Sequence, residues 1–139
     1  MGMAGYSATP LARKLGIKPG QVIALLDAPP TLPGLLAPLP DETDVRTSLD
    51  GGPFDVVVCF TTKRDDLVRR VAQVQPVLAV AGGLWIAWPK KAAKMPTEVT
   101  DDTVREVALP LGLVDNKVCA IDETWTGLRL VLRRELRNR

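Results

Sequence analysis

Histidine is absent from the sequence, and cysteine nearly so. Without an imidazole, Ser-His and Cys-His nucleophile pairs are excluded, so any general acid or base must be Asp, Glu, Lys, Tyr or Cys. Cys59 and Cys119 each lie inside an apolar run, where a free buried thiol is the expected state. Two cysteines so far apart form neither a disulfide framework nor a zinc site. We therefore expect no metal centre.

Long apolar runs are also missing. A membrane-spanning helix needs about 20 apolar residues, and no stretch approaches that length. The amino terminus is too polar for a signal peptide, so we expect a cytoplasmic protein without a membrane partner. A large excess of one charge is lacking too, because the net charge is only +2. This small value argues against nucleic acid as a partner.

What is present is the composition of an ordinary globular domain. The chain has 139 residues, of which 46% are hydrophobic and 24% are charged, enough for one domain with one sizeable core. We expect a single α/β domain over residues 1–139. Residues 1–8 are predicted to be a loose amino-terminal arm, and residues 134–139 a basic, solvated tail.

The stretch over residues 82–91 organises the predicted fold. Residues 84–88 are almost all apolar, as a central strand buried on both faces requires. Gly82 and Gly83 are expected to take the positive φ with which the chain leaves a preceding helix. Pro89 has no N–H group, so the predicted strand ends there and two lysines follow at its exit.

Hydrophobic periodicity and turn residues predict the remaining elements. Five prolines within residues 28–41 leave room for one short helical turn, so the first crossover is stunted. Cap residues and acids over residues 61–66 begin a helix that Pro76 interrupts near Gln75. The other predicted helices cover residues 10–15 and 101–111, and the predicted strands cover residues 22–26, 44–49, 54–60, 84–88, 114–121 and 128–133. The last two strands should form an antiparallel hairpin, because their connection is short.

The order of these elements resembles the methyltransferase variant of the Rossmann fold. The resemblance rests on residues 15–25 before the first turn, residues 81–89 in the middle, and the final hairpin. It implies an α/β fold with a single open, mostly parallel sheet of about six strands. The topology would be Rossmann-like or methyltransferase-like, with a C-terminal antiparallel hairpin.

Three segments resemble a family of small bacterial proteins of unassigned function. They are Thr9-Pro10-Leu11, the corner at residues 88–91, and residues 114–128. This resemblance implies a truncated, methyltransferase-like Rossmann fold and supplies no activity.

The turn after the first predicted strand departs from the methyltransferase pattern. Methyltransferases that use S-adenosylmethionine need glycines there, because the backbone approaches the cofactor closely and adopts positive φ. This sequence instead places Pro29, Pro30 and Pro33 after Asp27, and proline has neither an N–H group nor access to positive φ. We therefore expect no cofactor, with S-adenosylmethionine as the disfavoured alternative.

Candidate ligand-binding residues follow the predicted strands, where ligands bind in open α/β sheets. Basic residues at two adjacent strand exits, next to a helix amino terminus, indicate a site for phosphate or carboxylate. The alternative is a solvated edge, because loops are where lysines usually lie. The candidates are Asp27, Thr61, Thr62, Lys63, Arg64, Trp88, Lys90 and Lys91.

Residues around the predicted hairpin are candidates for contact with a partner. The tryptophan of the connecting loop is expected to be exposed as an interface anchor. The polar residues either bind a partner or only form turns. These candidates are Asp115, Asn116, Lys117, Asp122 and Trp125.

The sequence leaves two functions open. The first is a non-catalytic, degenerate Rossmann-like module that binds an anionic small molecule or a partner protein. The second is a methyltransferase-like group transferase with a replaced glycine-rich turn. The proline-rich segment over residues 28–39 favours the first.

Overall fold

Six strands form a single sheet in the computed structural model, which describes residues 9–138. The strands are β1 (Val22–Leu26), β2 (Asp44–Arg46), β3 (Phe54–Phe60), β4 (Leu78–Pro89), β5 (Leu113–Ala120) and β6 (Trp125–Leu132). Their order in the sheet is β2-β1-β3-β4-β6-β5. The arm predicted at residues 1–8 lies outside the described residues.

The sheet is parallel from β2 to β4 and antiparallel beyond. β1 pairs in parallel with β2 and β3, and β3 pairs in parallel with β4. β6 runs antiparallel to both β4 and β5. The loop over residues 121–124, which joins β5 to β6, is too short for the crossover that a parallel pair would need. The predicted α/β class, the mostly parallel sheet and the C-terminal hairpin are confirmed.

Four α-helices lie within residues 9–138. They are α1 (Leu11–Lys14), α2 (Leu32–Leu36), α3 (Arg64–Val74) and α4 (Asp101–Ala108). The prolines of the first crossover limit α2 to five residues. α3 ends in a 3₁₀ turn, Gln75–Val77, because Pro76 cannot continue the α-helical hydrogen bonds. Thr100 caps α4 as predicted, and its hydroxyl accepts a hydrogen bond from Thr103 N–H at 3.3 Å.

One apolar cluster fills each face of the sheet. The α3/α4-side cluster includes Leu84 and Ile86 of β4, whereas the α1/α2-side cluster includes Trp85 and Ala87. Alternate residues of β4 therefore point to opposite faces. Trp88 packs on the α3/α4 side, so the two tryptophans of β4 face opposite sides as predicted.

Trp85 connects the sheet to α1. Its side chain is fully buried, and its Nε1–H donates a hydrogen bond to Leu15 O at 2.9 Å. Leu15 directly follows α1, and its own side chain is also buried. One side chain thus fills the core and fixes the position of a short helix.

Gly82 and Gly83 do not take the predicted positive φ. Because α3 ends at Val74 and β4 begins at Leu78, both glycines lie inside the strand. Glycine is required at both positions because there is no room for a side chain. A Cβ at Gly82 would lie 2.9 Å from Phe54 O, and a Cβ at Gly83 would overlap the guanidinium group of Arg129. The prediction is wrong because it located the end of the helix too late.

The strands of the hairpin begin earlier than predicted. Trp125 belongs to β6 rather than to the loop, because its carbonyl oxygen accepts hydrogen bonds from Ile121 N–H at 2.9 Å and Asp122 N–H at 3.3 Å. The edge strand β2 is shorter than predicted and ends at Arg46.

The predicted solvated tail is attached to the domain. Arg134–Asn138 forms a 3₁₀ turn. Leu136 packs against the α3/α4-side cluster, and Arg137 Nε–H donates to Leu132 O at 2.9 Å. No helix within residues 9–138 has the length and apolar character needed to cross a membrane.

Replacing Trp85 by alanine should lower the free energy of unfolding by about 3–5 kcal/mol, because it empties the largest buried side-chain volume of the core. Trp85→Phe should cost less, because most of the ring volume is kept, and its remaining cost comes mainly from the lost hydrogen bond to Leu15 O. Urea unfolding measures both, with Trp88→Phe as the control on the opposite face. A loss below about 1 kcal/mol for Trp85→Ala would contradict the central position of this side chain.

Candidate functional site

The carboxyl ends of β1, β3 and β4 lie along one edge of the sheet, here called the carboxyl edge, because the three strands are parallel neighbours. Asp27 follows β1, residues 61–64 follow β3, and Lys90 follows β4. Strand order reverses between β1 and β3. In open α/β sheets, ligands bind at this edge near such a reversal.

A side chain of the protein itself occupies the amino terminus of α3. Glu98 Oε1 accepts a hydrogen bond from Arg64 N–H at 2.9 Å, and Glu98 N–H donates to Thr62 O at 2.8 Å. Thr61 is buried, and its hydroxyl donates to Lys63 O at 3.2 Å. The helix dipole favours a carboxylate in this position. Glu98 thus fills the place at which the sequence predicted a bound anion.

Lys90 connects the exit of β4 to the hairpin loop. Its Nζ donates to Asp122 O at 2.6 Å, and its backbone N–H donates to Thr124 O at 2.8 Å. The acceptor of the ammonium group is a carbonyl oxygen, so the charge of Lys90 is not neutralised by this contact.

The other predicted cations are distributed along the carboxyl edge. Arg64 Nη2 lies 3.9 Å from Glu106 Oε2, a long and exposed ion pair that contributes little. Lys63 and Lys91 are exposed. Neither lysine forms a salt bridge with a carboxylate of residues 9–138.

A cleft of about 650 Å³ opens beside the exit of β4, and we call it the β4 cleft. Its lining includes Trp88, Lys90, Lys91, Asp101 and Asp102, but neither Lys63 nor Arg64. Arg105 Nη1 lies 3.3 Å from Asp101 Oδ2 and 3.2 Å from Asp102 Oδ1. The acids of the cleft therefore have a cationic partner, whereas its lysines have no carboxylate partner within residues 9–138.

The turn after β1 offers few groups to a cofactor. Asp27 has a φ of 56°, and its Oδ2 accepts hydrogen bonds from Arg70 Nε–H at 3.2 Å and Nη2–H at 2.9 Å. Pro29 and Pro30, which line the small cleft beside Asp27, have no N–H groups. The carboxylate is thus already paired, and two consecutive residues of the turn, Pro29 and Pro30, offer no backbone donor. These residues do not fit S-adenosylmethionine in the pose that a glycine-rich turn provides.

Neither cysteine is prepared to act as a nucleophile. Burial raises the pKa of Cys59 to about 12, and burial also raises the pKa of Cys119. Both thiols therefore stay protonated at neutral pH. In the described part of the chain, no three Asp, Glu or Cys side chains are grouped to hold a metal ion.

Three predicted interaction residues have partners inside the molecule. Asp115 Oδ2 accepts a hydrogen bond from Arg105 Nε–H at 3.2 Å, and Lys117 Nζ donates to Lys14 O at 3.1 Å. Asp122 Oδ1 accepts from the N–H groups of residues 124 and 125 at 2.8 Å each, which forms the turn of the hairpin.

Trp125 is half-buried rather than exposed. Its ring meets the ring of Phe60 edge to face, with the centroids 5.1 Å apart and an interplanar angle of 81°. This geometry is a favourable one for aromatic pairs.

Asn116 is exposed and accepts a long hydrogen bond of 3.4 Å from Arg129 Nη1–H.

Sequence reasoning missed Glu98 and Arg70. Glu98 lies 34 positions from the amide that it binds, and Arg70 lies 43 positions from Asp27. Each of these contacts depends on how distant segments fold together, so no local pattern could reveal it.

A family model described as "Protein of unknown function (DUF3052)" matches residues 41–134, which is more than half of the chain. The chain belongs to this family. The DUF3052 match includes all strands except β1 and contains the whole β4 cleft. It confirms the predicted membership in a family of unassigned function. No curated protein sequence matches the chain.

Solved structures similar to this DUF3052 protein include methyltransferases. A ribosomal protein L11 methylase from Lactobacillus delbrueckii subsp. bulgaricus has a TM-score of 0.57 and 11% identity, over 89% of this chain and 76% of that chain. A TehB-like SAM-dependent methyltransferase from Corynebacterium glutamicum has a TM-score of 0.55 and 15% identity, over 94% and 91%. The Methanococcus jannaschii fibrillarin pre-rRNA processing protein has a TM-score of 0.63 and 12% identity, over 91% and 70%. At such identities the likeness shows the fold alone, which is the predicted methyltransferase-like one.

Glu98→Ala should lower the free energy of unfolding by about 0.5–2 kcal/mol, the usual cost of losing a helix cap. Glu98→Gln should lose less, because an amide oxygen can still accept from Arg64 N–H. Urea unfolding gives the energies, and amide hydrogen exchange at Arg64 locates the effect. Glu123→Ala, an exposed residue of the hairpin loop, is the matched control. If both alanine variants lose equally little, Glu98 does not cap α3 in solution.

Proposed function

We propose that the protein is a non-catalytic binding module that holds an anionic small molecule in the β4 cleft. The observation that carries the proposal is the unequal pairing of charges in this cleft. Arg105 forms ion pairs with both acids of the cleft, whereas Lys90 and Lys91 meet no carboxylate of residues 9–138. A bound anion would give the two ammonium groups a contacting partner of opposite charge.

The size and position of the cleft support a small ligand. A volume of about 650 Å³ falls within the roughly 300–1,000 Å³ of typical small-molecule sites. The cleft lies at the carboxyl edge, where open α/β sheets bind their ligands. The half-buried indole of Trp88 adds an apolar surface against which a ligand can pack.

The chemistry of the described residues supports binding rather than catalysis. The sequence has no histidine, and both thiols have raised pKa values. The aspartates of the cleft already form ion pairs with Arg105.

A small molecule is favoured over a partner protein as the occupant. Asp115, Lys117, Asp122 and Trp125, the main candidates for a protein interface, are engaged within the domain. The β4 cleft, in contrast, has charges without a partner of opposite sign.

A group transferase of the methyltransferase kind is the second candidate, and the fold of the similar structures favours it. The turn after β1 argues against it, because Asp27 pairs with Arg70 and two prolines follow. The transferase would need a cofactor pose different from the one that a glycine-rich turn provides.

Phosphate and sulfate should raise the unfolding temperature more than chloride at matched ionic strength, because they bind the lysines of the β4 cleft. Lys91→Ala should remove most of the difference, while Lys18→Ala, an exposed lysine outside the cleft, should retain it. Thermal unfolding measures the shift, and the indole N–H signal of Trp88 in an NMR titration locates it.

The Lys18→Ala control is needed because sulfate and phosphate also stabilise proteins by exclusion from their surfaces. If wild type, Lys91→Ala and Lys18→Ala all respond alike, the lysines form a solvated edge and the proposed site does not exist.

S-adenosylmethionine should show no saturable binding at micromolar concentration. Pro29 and Pro30 offer no N–H donors, and the guanidinium group of Arg70 is already hydrogen-bonded to the carboxylate of Asp27. Isothermal titration calorimetry with S-adenosylmethionine and its demethylated product tests this expectation. Arg70→Ala, which releases Asp27, is the informative variant beside wild type. One-site micromolar binding to the wild-type protein would favour the transferase over the module.

A further inference from the structure

A second cation cluster lies on the sheet away from the carboxyl edge. Arg129 of β6 and Arg137 of the final 3₁₀ turn line a cavity of about 170 Å³ together with Asn116 of β5. Residues 80–82 of β4 and Val131 complete the lining, and none of the lining residues is acidic. We call this space the arginine cavity.

Arg129 lies in the arginine cavity without a charged partner. Its guanidinium group occupies the space over Gly83 that a Cβ would otherwise fill. It is half-buried, and its bond to the neutral amide of Asn116 is long at 3.4 Å. Arg129 forms no salt bridge within residues 9–138. Partial burial of an unpaired charge is unfavourable.

Arg137 places a second positive charge beside the first. Its Nε–H donates to Leu132 O at 2.9 Å, which fixes the side chain and leaves the two terminal nitrogens for another acceptor. Burial lowers the pKa of Arg129, and the charge of Arg137 lowers it further. The two guanidinium groups therefore repel each other, and an anion between them would relieve that repulsion.

We propose that Arg129, Arg137 and Asn116 form a binding site for a single phosphate group, carried by free phosphate or by a small phosphorylated molecule. Guanidinium groups bind phosphate oxygens through paired N–H donors, and the amide of Asn116 adds a donor. The cavity of about 170 Å³ is several times the ~30 Å³ share of one water molecule. It accommodates one such group, and the remainder of a larger ligand would extend into solvent.

This site is separate from the proposed ligand site at the β4 cleft. Arg129 pairs with Trp85 across the sheet and so lies on the α1/α2 side, near the beginning of β4. The β4 cleft lies at the end of the same strand, beside α4. The two sites have different lining residues. Binding at each can therefore be measured separately, and one proposal can be wrong while the other is right.

The test is an NMR titration of the full chain with inorganic phosphate and, separately, with glycerol 3-phosphate at constant ionic strength. Saturable shifts are expected at the amides of Gly82 and Asn116 and at Arg129 Nε–H. Arg137→Gln should weaken this binding at least about tenfold, because it removes a charged bidentate donor. Arg134→Gln is the matched control, because Arg134 lies in the same 3₁₀ turn but outside the cavity.

Tighter binding of glycerol 3-phosphate supports a phosphorylated molecule as the ligand, and tighter binding of inorganic phosphate supports the free ion. Arg129→Gln should abolish binding, and if it does not fold, the exposed Arg137 still decides the outcome. Shifts that do not saturate, shifts confined to Trp88 and Lys91, or equal losses in Arg137→Gln and Arg134→Gln would overturn the proposal.

Discussion

The architecture depends on the burial of Trp85 in the middle of the sheet. Its indole fills the α1/α2-side cluster, and its hydrogen bond to Leu15 O fixes α1. A helix of four residues has no stability of its own, because nucleation costs more than so few hydrogen bonds return. The same residue lies beside Val58 of β3 and Arg129 of β6, where the parallel and antiparallel parts of the sheet meet.

Local sequence predicted the strands where burial alone determines them. β1 and β3 are uninterrupted apolar runs bounded by turn residues, and their predicted bounds agree with the structure. The beginning of β4 was not predictable, because Gly82 and Gly83 are glycines for lack of space: another part of the chain packs against each of them. That neighbour is backbone from β3 in one case and Arg129 from β6 in the other, and neither is visible in the local sequence.

The place of the candidate residues at the strand ends was predictable, but their contacts were not. Parallel strands deliver their carboxyl ends to one edge, so the location of Asp27, Lys63 and Lys90 follows from topology. What each side chain binds there is determined by loops that return from far along the chain. Glu98 reaches the start of α3, and Arg70 reaches Asp27. These partners change an apparently open edge into one that is largely occupied.

The two outer strands of the sheet differ in how they end its hydrogen-bonding ladder. β2 is three residues long and carries Asp44 and Arg46, which pair with each other. β5 has a register irregularity between Asp115 and Lys117. The ammonium group of Lys117 donates a hydrogen bond to the carbonyl oxygen of Lys14. Short, charged and irregular edges are poor templates for a strand of another molecule. The open sheet thus carries its own protection against edge-to-edge aggregation.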